Sequence, residues 1–397
     1  MIKQNTQFDQ QLNAFFQQNN WLGIIRLMED QCQPGGDLWD DAAALSTYGF
    51  ALTQQQQWSK AREVFFRCID LEPDRAKHYY SMGYIDYMQA NWEKAIHWFD
   101  EALSRYPKYF VVLYRKGYAL YMWDKASQAK PVLRQAQEIF VTHADEDWQR
   151  RNRKYYMKVR FTLGRVLLKL KEAHAALREF QYLLQEDKRE VISRQFLLYE
   201  VGKTYLALKE FQRAEQYLIQ ASKIRPVKDF ILDQLGRVYH AQGRYDKAIQ
   251  VYRRAFEFRR QAYILVNMAQ TMQAQGNLQE AMQVLQRALK RDVNHKMTHQ
   301  IYLRMGKIAM QQEDLDRAEW FFQKAIQAKV QYYQAQFAEG YYALVFCYLK
   351  LGHKDRARDA LQTALAINPQ LEWDRRLLEV LDDGQSPLPD LIDVVMN

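Results

Sequence analysis

The chain has 397 residues, of which 48% are hydrophobic, 26% charged and 14% aromatic, enough apolar material for packed cores and too much for a wholly disordered chain. Fifty-six Lys and Arg against 47 Asp and Glu give a formal charge of +9, a mild basicity that selects no partner by itself. Only 15 Gly and 8 Pro disfavour sandwiches, barrels and α/β folds, which need turn residues, and favour helices joined by short loops.

Residues 1–10 carry no apolar leader run, and no stretch of about 18 apolar residues occurs, so a non-membrane, cytoplasmic protein is expected. Cys32, Cys68 and Cys347 lie far apart, with neither metal nor disulfide spacing, which suits a reducing compartment. Phe8, Phe15, Phe16, Trp21, Ile24, Ile25 and Leu27 predict a degenerate hairpin over 8–29, followed by the loop Gln33-Pro34-Gly35-Gly36. Nine similar units then start at Ala42, Ala76, Phe110, Met157, Gln195, Asp229, Ala262, His299 and Ala338. Each carries a small residue near its eighth position, as in Gly49, Gly83, Gly117, Gly164, Gly202, Gly236 and Gly306; only Ala269 and Val345 depart. Each also carries an invariant alanine, from Ala61 to Ala357, and usually a second small residue seven positions later. A bulky side chain sits between them: Phe65, Phe99, Leu133, Phe180, Leu218, Tyr252, Leu285, Phe322 or Leu361. Four units end in proline, at Pro73, Pro107, Pro226 and Pro369. A 13-residue insertion, at about 141–156, separates the third unit from the fourth. Residues 371–381 read as a capping helix, and an apolar and acidic tail follows.

This spacing predicts two amphipathic helices per unit, with small residues where helices cross and the bulky residue filling the hole between neighbours. One such hairpin cannot bury its own apolar face, so the units must stack. The pattern, with its 34-residue step between the first three units, resembles the tetratricopeptide repeat (TPR) and does so nine times. The resemblance implies an all-α, right-handed α-solenoid of about nine stacked hairpins with capping helices at both ends. The expected division is 1–41 as an N-terminal capping hairpin and loop, 42–370 as the repeats, and 371–397 as a C-terminal capping helix and tail.

The resemblance also implies that unit positions 2, 5, 9, 12 and 13 face a concave groove. In the second unit those columns hold Lys77, Tyr80, Tyr84, Tyr87 and Met88. In the third they hold Val111, Tyr114, Tyr118, Tyr121 and Met122, and Phe50 extends the set from the first. Spacings of three, four and seven put the tyrosines on one helical face. Further along, the ninth column turns basic with Arg165, Lys203, Arg237 and Lys307, and Lys169 lies beside the first. The expected groove is therefore aromatic in repeats 2–3 and basic in repeats 4–8. Its expected partner is a protein or peptide segment with apolar and acidic residues, held by a scaffold, adaptor or chaperone. The Lys/Asn clamp by which some TPR domains hold a terminal carboxylate is not carried over, because the Asn is missing.

No catalytic constellation emerges and no cofactor is expected. His295 and His299 have the spacing of a zinc-protease pair, but Lys296 stands where the catalytic Glu should be. No Walker loop, nucleophile elbow or dinucleotide fingerprint occurs. The basic groove together with the cluster Arg150-Arg151-Asn152-Arg153-Lys154, within the insertion, leaves a nucleic-acid-binding helical repeat as the alternative.

Overall fold

In a computed structural model the described residues are 6–371, Leu377 and Leu381, and they form twenty α-helices with no strand among them. The chain divides into two compact units, Met1–Leu208 and Lys209–Asn397.

The first unit opens with α1 (Thr6–Gln17) and α2 (Trp21–Met28). Hairpins follow: α3 (Ala42–Gln54) with α4 (Trp58–Leu71), α5 (Ala76–Met88) with α6 (Trp92–Arg105), α7 (Phe110–Met122) with α8 (Ala126–Thr142), and α9 (Glu146–Lys169) with α10 (Ala173–Glu186). The unit ends on α11 (Arg194–Ala207). The second unit begins with α12 (Phe211–Lys223) and continues through α13 (Asp229–Ala241), α14 (Tyr245–Phe258), α15 (Ala262–Ala274), α16 (Leu278–Arg291), α17 (Thr298–Gln311), α18 (Leu315–Tyr333), α19 (Ala338–Lys350) and α20 (Lys354–Ile367). Of the expected C-terminal helix and tail, Leu371 is half-buried, Leu377 and Leu381 are buried, and the remainder lies outside the described residues.

A backbone signature fixes the register. Left-handed φ occurs at Gln56, Ala90, Asp124, Lys171, Lys209, Gly243, Gly276, Glu313 and Gly352, the fifteenth position of all nine repeats. There the first helix ends in a Schellman-type turn: Gln57 N–H donates to the Leu52 carbonyl at 2.9 Å, and Asn277 N–H to that of Met272 at 2.9 Å. Because that bond satisfies an orphan carbonyl, six of the turns tolerate a side chain where glycine is the usual choice.

The small and bulky residues meet within one hairpin, not between neighbours as the spacing suggested. Phe65 sits on Gly49, Phe99 on Gly83, Leu133 on Gly117, Phe180 on Gly164, Tyr252 on Gly236 and Phe322 on Gly306, each so close that a Cβ on the glycine would clash with the ring or branch. The α2 residues Ile24, Ile25 and Met28 join Leu45, Leu52 and Phe65 in one core, so the N-terminal hairpin covers the open end of the first repeat.

The insertion lengthens both flanking helices: α8 runs 17 residues and α9 runs 24. Asp145 starts α9 by accepting the Asp147 and Trp148 N–H groups at 2.8 and 3.0 Å. The buried Glu179 on α10 ties the three helices together. Its carboxylate accepts Arg134 Nη1 of α8 at 2.9 Å, Gln137 Nε2 at 3.1 Å and Arg160 Nη1 of α9 at 2.7 Å. Glu179→Ala would strand two guanidinium groups that still reach water, so it is expected to cost about 2 kcal/mol, below the usual cost of breaking a fully buried pair. Urea titration followed by circular dichroism checks this, and a change under about 0.5 kcal/mol would show that the network holds nothing.

Candidate partner-binding site

The tyrosines of α5 and α7 form a continuous sheet of rings. Tyr80 stacks on Tyr84 at 6.1 Å between centroids, and Tyr84 on Tyr87 at 6.2 Å. Tyr87 reaches across to Tyr118 of α7 at 5.7 Å, Tyr118 meets Tyr114 at 6.4 Å, and Tyr114 meets Tyr155 of α9 at 6.0 Å. Trp92 closes one side against Tyr87 and Tyr118. Tyr80, Tyr84, Tyr87, Tyr118 and Tyr121 are half-buried, and the flanking Met88 and Met122 are 51% and 44% exposed. Tyr114 differs: it is buried, at 7% exposure, and belongs as much to the core as to the face. Phe50 lies apart from this sheet, half-buried against Trp21 and Phe16 of the N-terminal hairpin.

At the centre of the sheet is Arg115, a residue outside the five columns read from the sequence. Its guanidinium lies 4.4 Å from the Tyr84 ring centre and 4.9 Å from that of Tyr87, and its Nε donates to the Tyr80 hydroxyl at 2.9 Å. Burial opposes its charge, but the Tyr80, Tyr87 and Tyr84 oxygens more than offset this, and its pKa is raised. Burial pushes the Tyr80 and Tyr87 phenols up to about 12, with Arg115 working in the opposite direction. The Tyr80 and Tyr87 phenols are therefore neutral at pH 7, and the face is apolar with hydroxyl tips.

The basic column is placed differently. Arg165 Nε lies 3.3 Å from Glu200, though not aimed for a hydrogen bond, and Lys203 Nζ lies 3.6 Å from the same carboxylate. Lys169 pairs with Asp124, and both Arg165 and Lys169 stand over the Tyr121 ring. In the second unit Arg237 pairs with Asp233 at 3.2 Å, while Lys307 is half-buried and its pKa is lowered by burial and then by Arg304. The buried Glu200 and Asp233 thus offset part of the charge of Arg165, Lys203 and Arg237, which distinguishes the column from a free cationic channel. His295 stacks on Tyr332 and His299 sits between Tyr333 and Phe337, so the two imidazoles serve separate aromatic contacts. Among the described residues no group of three or more His, Cys, Asp or Glu could hold a metal ion, and no helix is long and apolar enough to cross a membrane.

Models of the tetratricopeptide repeat match residues 195–261, 239–300, and 299–329 with 338–371. The chain belongs to the tetratricopeptide-repeat superfamily. The repeat is a protein-interaction scaffold that binds segments of partner proteins. A tetratricopeptide repeat protein from Parabacteroides merdae superposes with a TM-score of 0.53 at 16% identity, over 73% of this chain and 98% of that one, a likeness of fold alone. Pseudomonas aeruginosa PilF matches 59% of this chain and 97% of its own, with a TM-score of 0.46 and 16% identity. In sequence, 53 residues, 13% of this chain, are 43% identical to the mitochondrial import receptor subunit TOM70 of Homo sapiens, and the match spans 8% of that protein's length.

Proposed function

We propose that this TPR protein is a non-enzymatic adaptor or chaperone that holds an extended segment of a partner protein on the tyrosine face of its first unit. The observation that supports this is the face itself: Tyr84, Tyr87 and Tyr118 share one ring sheet with part of their surface open, edged by exposed Met88 and Met122. The buried residues of α5 and α7, among them Tyr79, Met82, Leu113 and Leu120, already supply the core; Tyr80 and Tyr87 rest on Phe99 of that core, and Tyr84 and Tyr118 are the rings surplus to it. Aromatic rings bind at low conformational cost, and methionine adapts to varied apolar groups. The partner segment is apolar with acidic residues.

Tyr84→Ala combined with Tyr118→Ala is expected to weaken partner capture by about a hundredfold, the order expected when two hot-spot aromatics are truncated. The melting temperature should fall by no more than a few degrees, because both rings are half-buried. Affinity purification with mass spectrometry on wild type and double variant reads the capture, and unchanged partners would refute the proposal.

A second reading has one observation behind it. A cavity of about 260 Å³ is lined by Arg150, Arg151, Arg153, Lys154, Lys188 and Arg189, with Glu186 and Asp187 as its acids. Glu186 is engaged by Arg153 at 3.1 Å, and Asp187 accepts the Val191 and Ile192 N–H groups. Nucleic acid held there would dissociate steeply with salt. A gel shift at 50 and 200 mM salt is expected to show no retained RNA or DNA; retention lost at the higher salt would favour this reading instead.

A further inference from the structure

We infer that Arg115, flanked by Lys158 and Lys154, receives a side-chain carboxylate of the bound segment, while the surrounding tyrosines take the apolar residues beside it. This deepens the preceding reading and rests on it. The first support is a contrast among cations. Arg62, Arg160, Arg165 and Arg237 each have a carboxylate of their own chain within 4 Å. Arg115 has no such carboxylate among the described residues, although it is half-buried and ringed by tyrosines. A charge taken partly out of water without a counter-ion is costly, and a site that keeps one is ready for a ligand of opposite sign.

The second support is geometric. Nε is committed to the Tyr80 hydroxyl, and the Tyr84 and Tyr87 rings lie against the guanidinium with their centres 4.4 and 4.9 Å from its carbon. Nη1 and Nη2 remain, two parallel donors in one plane, which match the two oxygens of a carboxylate. The third support is the neighbouring charge. Lys158 of α9 is half-buried, its ammonium 5.9 Å from the Tyr155 ring, and it too has no carboxylate among the described residues. Burial lowers its pKa, and Lys154 and Arg115 lower it further, so both cations repel the Lys158 ammonium at this spot. An acidic side chain placed there relieves that repulsion, which an apolar or basic one does not.

The test is selection from a random 12-residue peptide library on the full-length protein, with wild type, Arg115→Gln, Lys158→Gln and the Tyr84→Ala/Tyr118→Ala variant. Wild type is expected to enrich peptides in which Asp or Glu adjoins aromatic or aliphatic residues. Arg115→Gln is expected to lose the acidic preference while keeping the apolar one, and to bind the wild-type peptides at least tenfold more weakly. Amide replacement of the acid should make a peptide indifferent to Arg115→Gln. Lys158→Gln, at the edge of the site, keeps the test decisive should Arg115→Gln misfold by circular dichroism: the acidic peptides should weaken about threefold, and an unchanged affinity would overturn the assignment. Equal acidic enrichment in wild type and Arg115→Gln would also overturn it, while leaving the tyrosine face intact. Peptides that bind the tyrosine variant as tightly as wild type would instead refute the tyrosine face.

Discussion

Phe322→Ala is expected to lower the stability of the second unit by about 3–5 kcal/mol, the range for deleting a fully buried phenylalanine from a core that cannot close over the void. Its ring is fully buried and lies against the bare backbone of Gly306, so two helices meet at one point through this side chain. The same contact makes a second, opposite perturbation informative. Gly306→Ala would drive a methyl into the ring, and neither α17 nor the buried ring of α18 has room to yield, so a cost of about 1–3 kcal/mol follows. Combining Gly306→Ala with Phe322→Leu should cost less than the sum of the two, because a smaller side chain frees the space that the methyl needs. Urea unfolding followed by circular dichroism measures wild type, Phe322→Ala, Gly306→Ala, Phe322→Leu and the double variant. In a repeat protein each hairpin contacts only its neighbours, so the loss should show as an earlier transition of part of the helical signal. An additive double variant would show that ring and glycine do not meet.

The parts of this architecture that were legible in the sequence are those dictated by close approach. Gly83 and Phe99 must occur 16 residues apart because the glycine is where that ring lands, and the same holds for Gly164 and Phe180 beyond the insertion. The turn was less legible, because Ala90, Asp124 and Lys171 adopt left-handed φ without being glycine; a hydrogen bond, not a residue type, specifies the position. In the candidate site the tyrosine face was readable from its helical period, whereas Arg115 was not, because its role comes from rings on α5, the first helix of the preceding repeat. Some of the pairing in the basic column did carry a local signal. Glu200 stands three residues before Lys203, and Asp233 four before Arg237, the spacings at which helical side chains of opposite charge meet. The pairing of Lys169 with Asp124 had none, since those residues are 45 positions apart and only the path of α9 joins them.

The second large effect expected is acid sensitivity centred on His299. This imidazole is 7% exposed, lies edge-on between the rings of Tyr333 and Phe337, and its Nδ1 is buried without a hydrogen-bond partner. Burial first and then Lys329 lower its pKa to about 4, with Asp292 and Glu339 opposing the change only in part. Asp292 is already occupied by the Met297 N–H at 2.8 Å and the Thr298 hydroxyl at 2.7 Å, so it is poorly placed to hold an imidazolium as well. The folded chain therefore binds the proton more weakly than the unfolded one. The stability this represents is fully present above about pH 6.5, the unfolded value, and is lost as pH falls toward 4. Over that window the loss attributable to His299 is about 3 kcal/mol. His78 in the first unit has a pKa lowered by burial and acts with the same sign, its Nε2 lying 2.7 Å from Glu72. His299→Phe keeps an aromatic ring between Tyr333 and Phe337 and removes the titration. Urea midpoints of wild type and His299→Phe at pH 7.5 and pH 4.5 should diverge, with the variant losing clearly less on acidification; parallel losses would mean that the imidazole is hydrated in the folded chain and titrates near its ordinary value.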